Sequence, residues 1–514
     1  MVRHALSMMA GTCVSRVLGL AREVMTAAFF GASGQLDAFN VAYTLANTAR
    51  QLVAEGALSA AFVPVFSRAL ETGRVLGTGH ARALSLARQA MSVLIAASSG
   101  VTLLGMLGAP LLTLVMAPGF DAETSLLTTN LTRWMFPFLF LISLAALAMG
   151  TLNSLGSFFV PALAPAFSNL IFIVSAPFFV RRFGILGLAF SVLAGGFAHF
   201  ASQWLWGRRI GAALFPERPD FSDPDLRRMM ALFLPYAAGL SLNQVNPVVS
   251  RMLASFLEEG SISVLNYANR VIQLPLGLFV IAVSQAVLPQ LSRAERPEDF
   301  TAVIGDALRF ALFIVLPTAC GLIFTSGAFV HLIFVRGAFG ESAWRATSWA
   351  LGLSALGLPG MACSTVVMRG LYALSMPRAA FMTTLFSVSC TAVLSFLLMF
   401  PMGCGGLALA PSVAFSLSGL LGLFYIRRKT GRPLRIFPPA WIFRVALALA
   451  SMLAVLSLYL RLTPYVPSAS LSARAAWCMG AAVLGALVYA AATLACGFDE
   501  WRWIKDAVAR KRKK

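Results

Sequence analysis

Long apolar segments recur along the whole chain of 514 residues and constrain its fold more than any other feature. A helix needs about 20 apolar residues to cross the hydrocarbon core of a bilayer. Apolar segments separated by turn residues give about fourteen such spans, the first over 5–31 and the last over 473–497. Strands of a membrane barrel would instead alternate in segments of about ten residues. The sequence therefore predicts an all-α polytopic membrane protein.

Charged residues are scarce, which argues against a soluble fold. Only 12% of the residues are charged and 59% are hydrophobic, whereas soluble domains carry about 25% charged residues. The seven cysteines form no CxxC pair and the four histidines are scattered, so we expect no disulfide framework and no metal site. The sequence has neither paired carboxylates near a histidine nor a GxxxxGK[ST] phosphate loop. We predict a protein that is not an enzyme and needs no cofactor.

The distribution of basic residues predicts the orientation of the chain. The formal net charge is +20, which in a soluble protein would favour a nucleic-acid partner. Here most loop arginines and lysines fall on one side of the predicted spans, and cytoplasmic loops are enriched in these residues. We therefore predict that both termini are cytoplasmic, that membrane lipids are partners and that nucleic acid is not.

A short repeat divides the chain into two similar halves. FVPVFSRA at 62–69 resembles VLPQLSRA at 287–294, and six predicted spans separate the copies, so both begin on the same side. Such a parallel repeat, related by a pseudo-two-fold along the membrane normal, is a common transporter plan. We predict two six-helix lobes over 1–215 and 216–436, two extra C-terminal helices over 437–500 and a basic tail over 501–514.

Polar residues inside the spans point to function, since ionisable groups at membrane depth are costly and usually face a cavity or a partner. Span two has a polar face that recurs every three or four residues. An isolated arginine can instead be structural, which we expect for Arg133, Arg309 and Arg369. The other polar residues that stand out are Arg16, Arg22 and Glu23 in span one, Asp37, Asn40, Thr44, Asn47, Arg50, Gln51 and Glu55 in span two, Asn169 in span five, Asn243, Gln244 and Asn246 in span seven, and Asn266, Asn269, Arg270 and Gln273 in span eight.

The arginines of spans one, two and eight outnumber the acids of the same spans. Guanidinium groups bind phosphate oxygens in bidentate pairs. The residues alone therefore predict a two-lobed transporter without ATPase activity, whose cationic cavity takes an amphipathic anion. Two other readings stay open. A cation-drug antiporter would need acids in place of these arginines, and a scaffold without transport would tolerate their loss.

Six motifs stand out along the chain: SRVLGLARE at 15–23, DAFNVAY at 37–43, RQLVAEGALSAAFVP at 50–64, APGF at 117–120, PALAPAFSN at 161–169 and YANRVIQLPLG at 267–277. Together they resemble the MurJ/MviN family, the lipid II flippases of bacterial peptidoglycan synthesis. This family belongs to the multidrug/oligosaccharidyl-lipid/polysaccharide exporter superfamily. The resemblance implies two lobes around a central cationic cavity, which translocate lipid II across the bacterial cytoplasmic membrane by alternating access. It implies lipid II and cell-wall synthesis proteins as partners.

The resemblance also implies residue roles. By this resemblance, the two extra C-terminal helices form a hydrophobic groove for the lipid tail. Asn269 and Gln273 stand where the family often has acids, so we expect a more cationic cavity. We expect no sodium site, because 229–256 and 379–401 contain no acid. An exporter of another polyprenyl-linked oligosaccharide stays the alternative. The implied substrate-binding residues are Arg16, Arg22, Arg50, Arg270, Asn169 and Gln244, and the implied cavity or gating residues are Glu23, Asp37, Asn47, Gln51, Glu55, Asn269 and Gln273.

Overall fold

The described part of the chain is built of α-helices and contains no strand. The computed structural model describes residues 2–51, 58–75, 80–241, 244–280, 284, 287, 291–294, 296–433, 436–501 and 503. The elements in chain order are α1 (Val2–Phe30), α2 (Gly34–Arg50), α3 (Ser59–Val75), α4 (Ala81–Leu107), α5 (Ala109–Met116), α6 (Ala122–Met135), α7 (Pro137–Ser154), α8 (Phe159–Phe183), α9 (Leu186–Arg209), α10 (Pro224–Ser241), α11 (Val245–Ala254), α12 (Ser261–Pro275), a π-helical turn (Leu276–Val280), α13 (Pro297–Phe334), α14 (Glu341–Ala355), α15 (Leu358–Ala373), α16 (Pro377–Met402), α17 (Cys404–Thr430), α18 (Pro439–Leu462) and α19 (Leu471–Ala495).

The helices confirm a polytopic membrane fold. Within the described residues, nine helical segments are long and apolar enough to cross a membrane, or ten if the bent pair α14 and α15 forms one span. Predicted spans one, two, seven and eight are missing from this set. These four carry most of the polar residues singled out above, and spans two, seven and eight also include residues outside the described ranges. The count of about fourteen spans therefore stays a prediction.

Local sequence sets the helix ends and the close contacts between helices. Asp121 Oδ2 accepts the Glu123 N–H at 3.1 Å and so caps the start of α6. Gly184 has a φ of +57°, a conformation that favours glycine, and reverses the chain between α8 and α9. At Gly187 a Cβ would lie 2.4 Å from the Phe179 carbonyl carbon, so only glycine lets these two helices approach so closely.

The chain divides into two compact units, the first unit (Met1–Ser263) and the second unit (Val264–Lys514). In the first unit α8 packs along α9 and α1, and α2 packs on α6. In the second unit α17 packs against α15 and α16, and α13 packs against α14 and α19. The boundary lies later in the chain than the repeat-based boundary at 215/216, because α10 packs on α3 and α11 on α5 within the first unit. The lobes, extra helices and tail stay a prediction.

The connection between α9 and α10 is fixed to α4 along residues 212–220, which we call the strap. Ser85 Oγ donates to Glu217 Oε1 at 2.7 Å, and Ser92 Oγ donates to the Glu217 carbonyl at 2.6 Å. Gln89 Oε1 accepts a backbone N–H of the strap at 3.0 Å. Side chains of three successive turns of α4 therefore satisfy polar groups of the strap.

Candidate functional site

Arg22 on α1 is held from three directions within the first unit. Its Nη2 donates to Glu23 Oε1 at 2.9 Å. Its Cζ lies 5.5 Å from the ring centroid of Tyr43 on α2 and 5.3 Å from that of Phe172 on α8. The side chain keeps 19% of its surface accessible. One carboxylate and two aromatic rings thus stabilise a guanidinium inside a predicted span.

Arg16 lies six residues before Arg22 on α1, about 9 Å along the helix axis, and its side chain is exposed. Asn169 on α8 donates from its Nδ2 to the Ser15 carbonyl at 3.2 Å. This hydrogen bond ties α8 to α1 one residue away from Arg16. The two predicted site residues Arg16 and Asn169 therefore lie on neighbouring parts of α1 and α8.

The end of α2 carries a second group of predicted site residues. Arg50 Nε donates to Asn47 Oδ1 at 2.8 Å, which fixes the guanidinium one turn along its own helix. Gln244 Nε2 donates to Gln51 Oε1 at 2.5 Å, so the residue before α11 contacts the residue after α2. All four side chains are half-buried. The structure thus brings together Gln51 and Gln244, which are far apart in the sequence.

Asp37, at the start of α2, is 2% exposed and accepts three hydrogen bonds. Gly260 N–H donates to its Oδ2 at 2.8 Å, and the N–H and Oγ of Ser263 donate to its Oδ1 at 2.8 and 2.6 Å. Asn40 Nδ2 donates in turn to Ser263 Oγ at 3.0 Å. We call Asp37, Asn40, Gly260 and Ser263 the polar node. Its carboxylate caps the N-terminus of α12, where a negative charge is favoured.

The remaining predicted site residues lie elsewhere. Arg270, Asn269 and Gln273 belong to α12 in the second unit, where Arg270 is half-buried and the other two are exposed. Glu55 lies outside the described residues. In the described ranges, no three His, Cys, Asp or Glu side chains come together as at a metal site. A single cavity lined by all four arginines stays a prediction.

The second unit contains an apolar groove between α13, α18 and α19, with a volume of about 470 Å³. Phe313 on α13 packs on Tyr489 of α19 and on Phe498 beyond it, with ring centroids 5.6 Å apart in both pairs. The Tyr489 hydroxyl is buried and has no hydrogen-bond partner among the described residues. Residues that line the groove include Phe313, Gly321, Leu322, Met452, Gly485 and Tyr489.

Polar contacts fix the loop between α18 and α19, and the start of α19, to α13. Arg474 Nη1 lies 3.2 Å from His331 Nδ1 and can only donate, so this nitrogen is an acceptor. Tyr465, in the loop after α18, therefore donates its hydroxyl to the same nitrogen at 2.8 Å. Burial raises the pKa of Tyr465, which keeps the hydroxyl protonated. Polar contacts thus join α13 to α19 and to the loop before it, while aromatic rings join α13 to α19 beside the groove.

The sequence matches the profile of the family "Lipid II flippase MurJ" over residues 26–475. The chain belongs to the MurJ family. The match confirms the family that the motifs predicted. The family is one of transporters, which also confirms the prediction that the chain is not an enzyme.

Similar proteins support this membership in the MurJ family. The chain is 32% identical over 426 residues to a probable lipid II flippase MurJ of Rhizobium tropici, covering 80% of this chain and 78% of that protein. It is 31% identical over 440 residues to the lipid II flippase MurJ of Burkholderia cenocepacia, covering 84% of each. A solved structure of the lipid II flippase MurJ in an inward-closed conformation matches with a TM-score of 0.78 and 27% identity, covering 95% of this chain and 97% of that one.

The fold extends beyond the MurJ family. An inward-facing multidrug resistance MATE transporter of the MOP superfamily matches with a TM-score of 0.67, covering 83% of this chain and 98% of that one. Its identity is 15%, so this likeness shows the fold alone. This chain and that transporter therefore share a fold, whatever each of them transports.

Sequence reasoning missed several residues of the polar sites. Gly260 and Ser263 supply the hydrogen bonds to Asp37, and Tyr43 and Phe172 supply the rings around Arg22. Aromatic and small residues are ordinary in membrane helices, so no local signal marks them. Arg251 is different. This half-buried arginine lies on α11 within predicted span seven and could have been found by the rule that selected Arg16.

Proposed function

We propose that this protein translocates lipid II from the inner to the outer leaflet of the bacterial cytoplasmic membrane, with both termini in the cytoplasm. The observation that carries the proposal is the guanidinium of Arg22, held within a membrane helix of a MurJ-family chain. A pyrophosphate is a compact dianion that needs such donors once it leaves water. Proteins that use lipid II on the outer side are its proposed functional partners.

The headgroup is bound by charge and by hydrogen bonds. Arg16, Arg22 and Arg50 neutralise the pyrophosphate, with Arg270 contributing from α12. Arg22 exchanges its Glu23 partner for a phosphate oxygen when the substrate enters, since both are acceptors for the same Nη2. Asn169 and the pair Gln51–Gln244 hold the helix segments next to these arginines, which supports a role in positioning the site.

Alternating access requires a contact that breaks in one state. The polar node is suited to this role because its hydrogen bonds connect two segments far apart in the sequence, the start of α2 and residues 260–263. A carboxylate with three donors is a strong but reversible acceptor. We assign Asp37 the role of a gate residue that holds one state and releases the other. Asn47, Asn269, Gln273 and Glu55 are proposed to line the path.

The lipid tail needs a different surface. The apolar groove between α13, α18 and α19 is lined almost wholly by hydrocarbon and aromatic side chains, which suits an isoprenoid chain. Its volume of about 470 Å³ accommodates part of a polyprenyl tail. The rest of the tail would remain among membrane lipids. The groove supports a lipid-linked substrate over a small polar anion.

The test is transbilayer movement of labelled lipid II in liposomes that contain the wild-type protein, Arg22→Gln or Arg345→Gln. Arg345 is the matched control because it is 76% exposed and pairs with Glu341 on its own helix. We expect the loss of a charge-assisted bond worth about 1.5–3 kcal/mol at Arg22 to slow transport about tenfold or more. The control should stay within about twofold, as surface ion pairs contribute little.

Three outcomes would overturn parts of the proposal. A folded wild-type protein that moves another polyprenyl-linked oligosaccharide but not lipid II would replace the substrate. Movement of neither lipid, with an ion gradient and a membrane potential supplied, would refute transport and favour a scaffold. Equal rates for wild type and Arg22→Gln would show that the headgroup does not bind at this arginine.

A further inference from the structure

Arg22 is held in a way that a purely structural arginine would not require. Its guanidinium lies near the rings of Tyr43 and Phe172, on two different helices. Phe172 is 3% exposed. Tyr43 stacks on Phe39, with centroids 6.1 Å apart and an interplanar angle of 15°. Both rings are therefore fixed by their own packing before they contact the cation.

Aromatic rings and carboxylates stabilise an arginine differently. A carboxylate occupies the N–H donors and cancels the charge, whereas a ring face attracts the cation through its quadrupole. The side chain of Arg22 has one carboxylate contact, at Glu23. The ring of Phe172 thus restricts the guanidinium without taking up a donor, whereas Tyr43 adds to its ring a hydroxyl that accepts a hydrogen bond from the guanidinium. Because the Arg22 side chain is already restricted, it loses less rotamer freedom when a phosphate binds.

We propose that Tyr43 and Phe172 are positioning residues that set the affinity of Arg22 for the diphosphate group of the lipid substrate. This inference rests on the proposed function, because it assigns two aromatic side chains to the same headgroup site. The rings do not touch the diphosphate. They hold the guanidinium where its planar fork meets two phosphate oxygens, and that geometry is lost when the side chain can rotate.

The experiment measures binding of farnesyl diphosphate to the full-length protein in detergent. Ring-keeping variants are Tyr43→Phe and Phe172→Tyr, and ring-removing variants are Tyr43→Leu and Phe172→Leu. We expect Phe172→Tyr to bind within about twofold of wild type and the ring-removing variants about three- to tenfold more weakly, in the range of a partly desolvated cation–π contact. Tyr43→Phe keeps the ring but removes the hydroxyl beside the guanidinium, so its affinity should lie between those of wild type and Tyr43→Leu.

A matched control separates positioning from packing. Phe179 lies two turns after Phe172 on α8, is half-buried, and packs on Phe190 at 6.1 Å, with no described contact to an arginine guanidinium. Phe179→Leu removes a ring of the same size from the same helix. We expect it to lower the melting temperature, by less than Phe172→Leu because Phe179 is less buried, while leaving the affinity for farnesyl diphosphate unchanged.

A double-mutant cycle tests whether the rings act through Arg22. In an Arg22→Gln background, Tyr43→Leu and Phe172→Leu should cause no further loss of binding, because the cation they hold is gone. An equal further loss in that background would overturn the inference, as would unchanged binding by the ring-removing variants in a wild-type background. If the wild type fails to bind farnesyl diphosphate at all, the proposed headgroup site is refuted together with the inference.

Discussion

The polar node and the apolar groove are built in opposite ways, the first as a contact held by hydrogen bonds and the second as a surface for apolar groups. In the node, Asp37 has a named partner for each of its oxygens, with distances of 2.6 to 2.8 Å. In the groove, the Tyr489 hydroxyl has no described partner at all, and hydrocarbon dominates the lining. Hydrogen bonds demand fixed positions, whereas apolar contact requires only volume.

The two regions therefore have different proposed roles. The node holds one conformational state through hydrogen bonds of fixed geometry, so it depends on which atoms are present. A polyprenyl tail is flexible and uniform, so a groove that fits any stretch of it suffices. We therefore expect the node to be sensitive to atom type and the groove to be sensitive to filled volume.

The largest effect should come from Asp37→Ala. It leaves two backbone N–H groups and a hydroxyl without their acceptor, at a cost of at least about 3 kcal/mol, or more than about 100-fold in the equilibrium that the node stabilises. Lipid II transport in liposomes should fall accordingly. The control is Asp121→Ala, which removes an exposed carboxylate at the start of α6. Comparable losses in both variants would contradict a special role for the buried node.

A smaller effect is expected from filling the groove with Gly321→Leu. A Cβ at this position meets no atom within 4 Å, so the side chain extends into the groove without distorting α13. The new side chain should displace about two methylenes of the tail from the groove, at ~0.8 kcal/mol each. The affinity for a full-length polyprenyl substrate should therefore fall about tenfold, and that for a farnesyl analogue much less.

The matched variant for the groove is Gly327→Leu on the same helix. Its Cβ also meets open space, but Gly327 lies outside the groove residues and lines a separate pocket with Trp344 and Trp349. Its affinity for both tail lengths should equal that of the wild type. If Gly321→Leu and Gly327→Leu change the affinities for the long and the short tail equally, the groove is not the tail site.

A still smaller effect is expected from breaking the hydrogen bond between Gln51 and Gln244, and a double-mutant cycle can measure it. Gln51→Leu leaves Gln244 without the partner that it reaches at 2.5 Å, which should slow transport about three- to fivefold. The double variant Gln51→Leu with Gln244→Leu should recover part of this rate, because replacing both partners by apolar groups can be nearly neutral. A double variant slower than either single variant would mean that the amides contact substrate directly.

The smallest effect is expected from Tyr489→Phe in the groove. The hydroxyl has no described partner, so its removal should leave the free energy of unfolding unchanged or raise it by no more than about 1 kcal/mol. The melting temperature should accordingly stay the same or rise slightly. The measurement is thermal unfolding in detergent. A clear loss of stability would show that the hydroxyl has a partner, and the contrast between node and groove would then be weaker than described.

The sequence predicted the charged parts of this molecule better than their surroundings. Arg22 and Asp37 stood out because burying a charge is costly, so each required a partner or a function. Their partners did not stand out. Gly260 and Ser263 reach Asp37 only through a turn in which Gly260 has a φ of +87° and lies against the Ala32 carbonyl, a contact between distant segments.

The fold shows the same asymmetry. Apolar length alone predicted the membrane helices α8, α9 and α16 to α19, all of which pass as spans. Predicted spans one and two stay predictions, since neither α1 nor α2 is among the helices that pass, and α2 as described has 17 residues. The compact units could not be derived from the repeat, since α10 and α11 belong by symmetry to the later half but pack in the first unit. Packing between helices is a tertiary property that a repeat in sequence does not encode.

The strap has a consequence for how movement in this protein should be observed. A connection between membrane helices is often chosen for a spectroscopic label on the assumption that it moves freely. Here Glu217 is fixed to Ser85 and Ser92, so a label on the neighbouring exposed Phe215 would report the position of α4. Such a label is a fixed reference point on the first unit, against which distances to labels elsewhere can be measured.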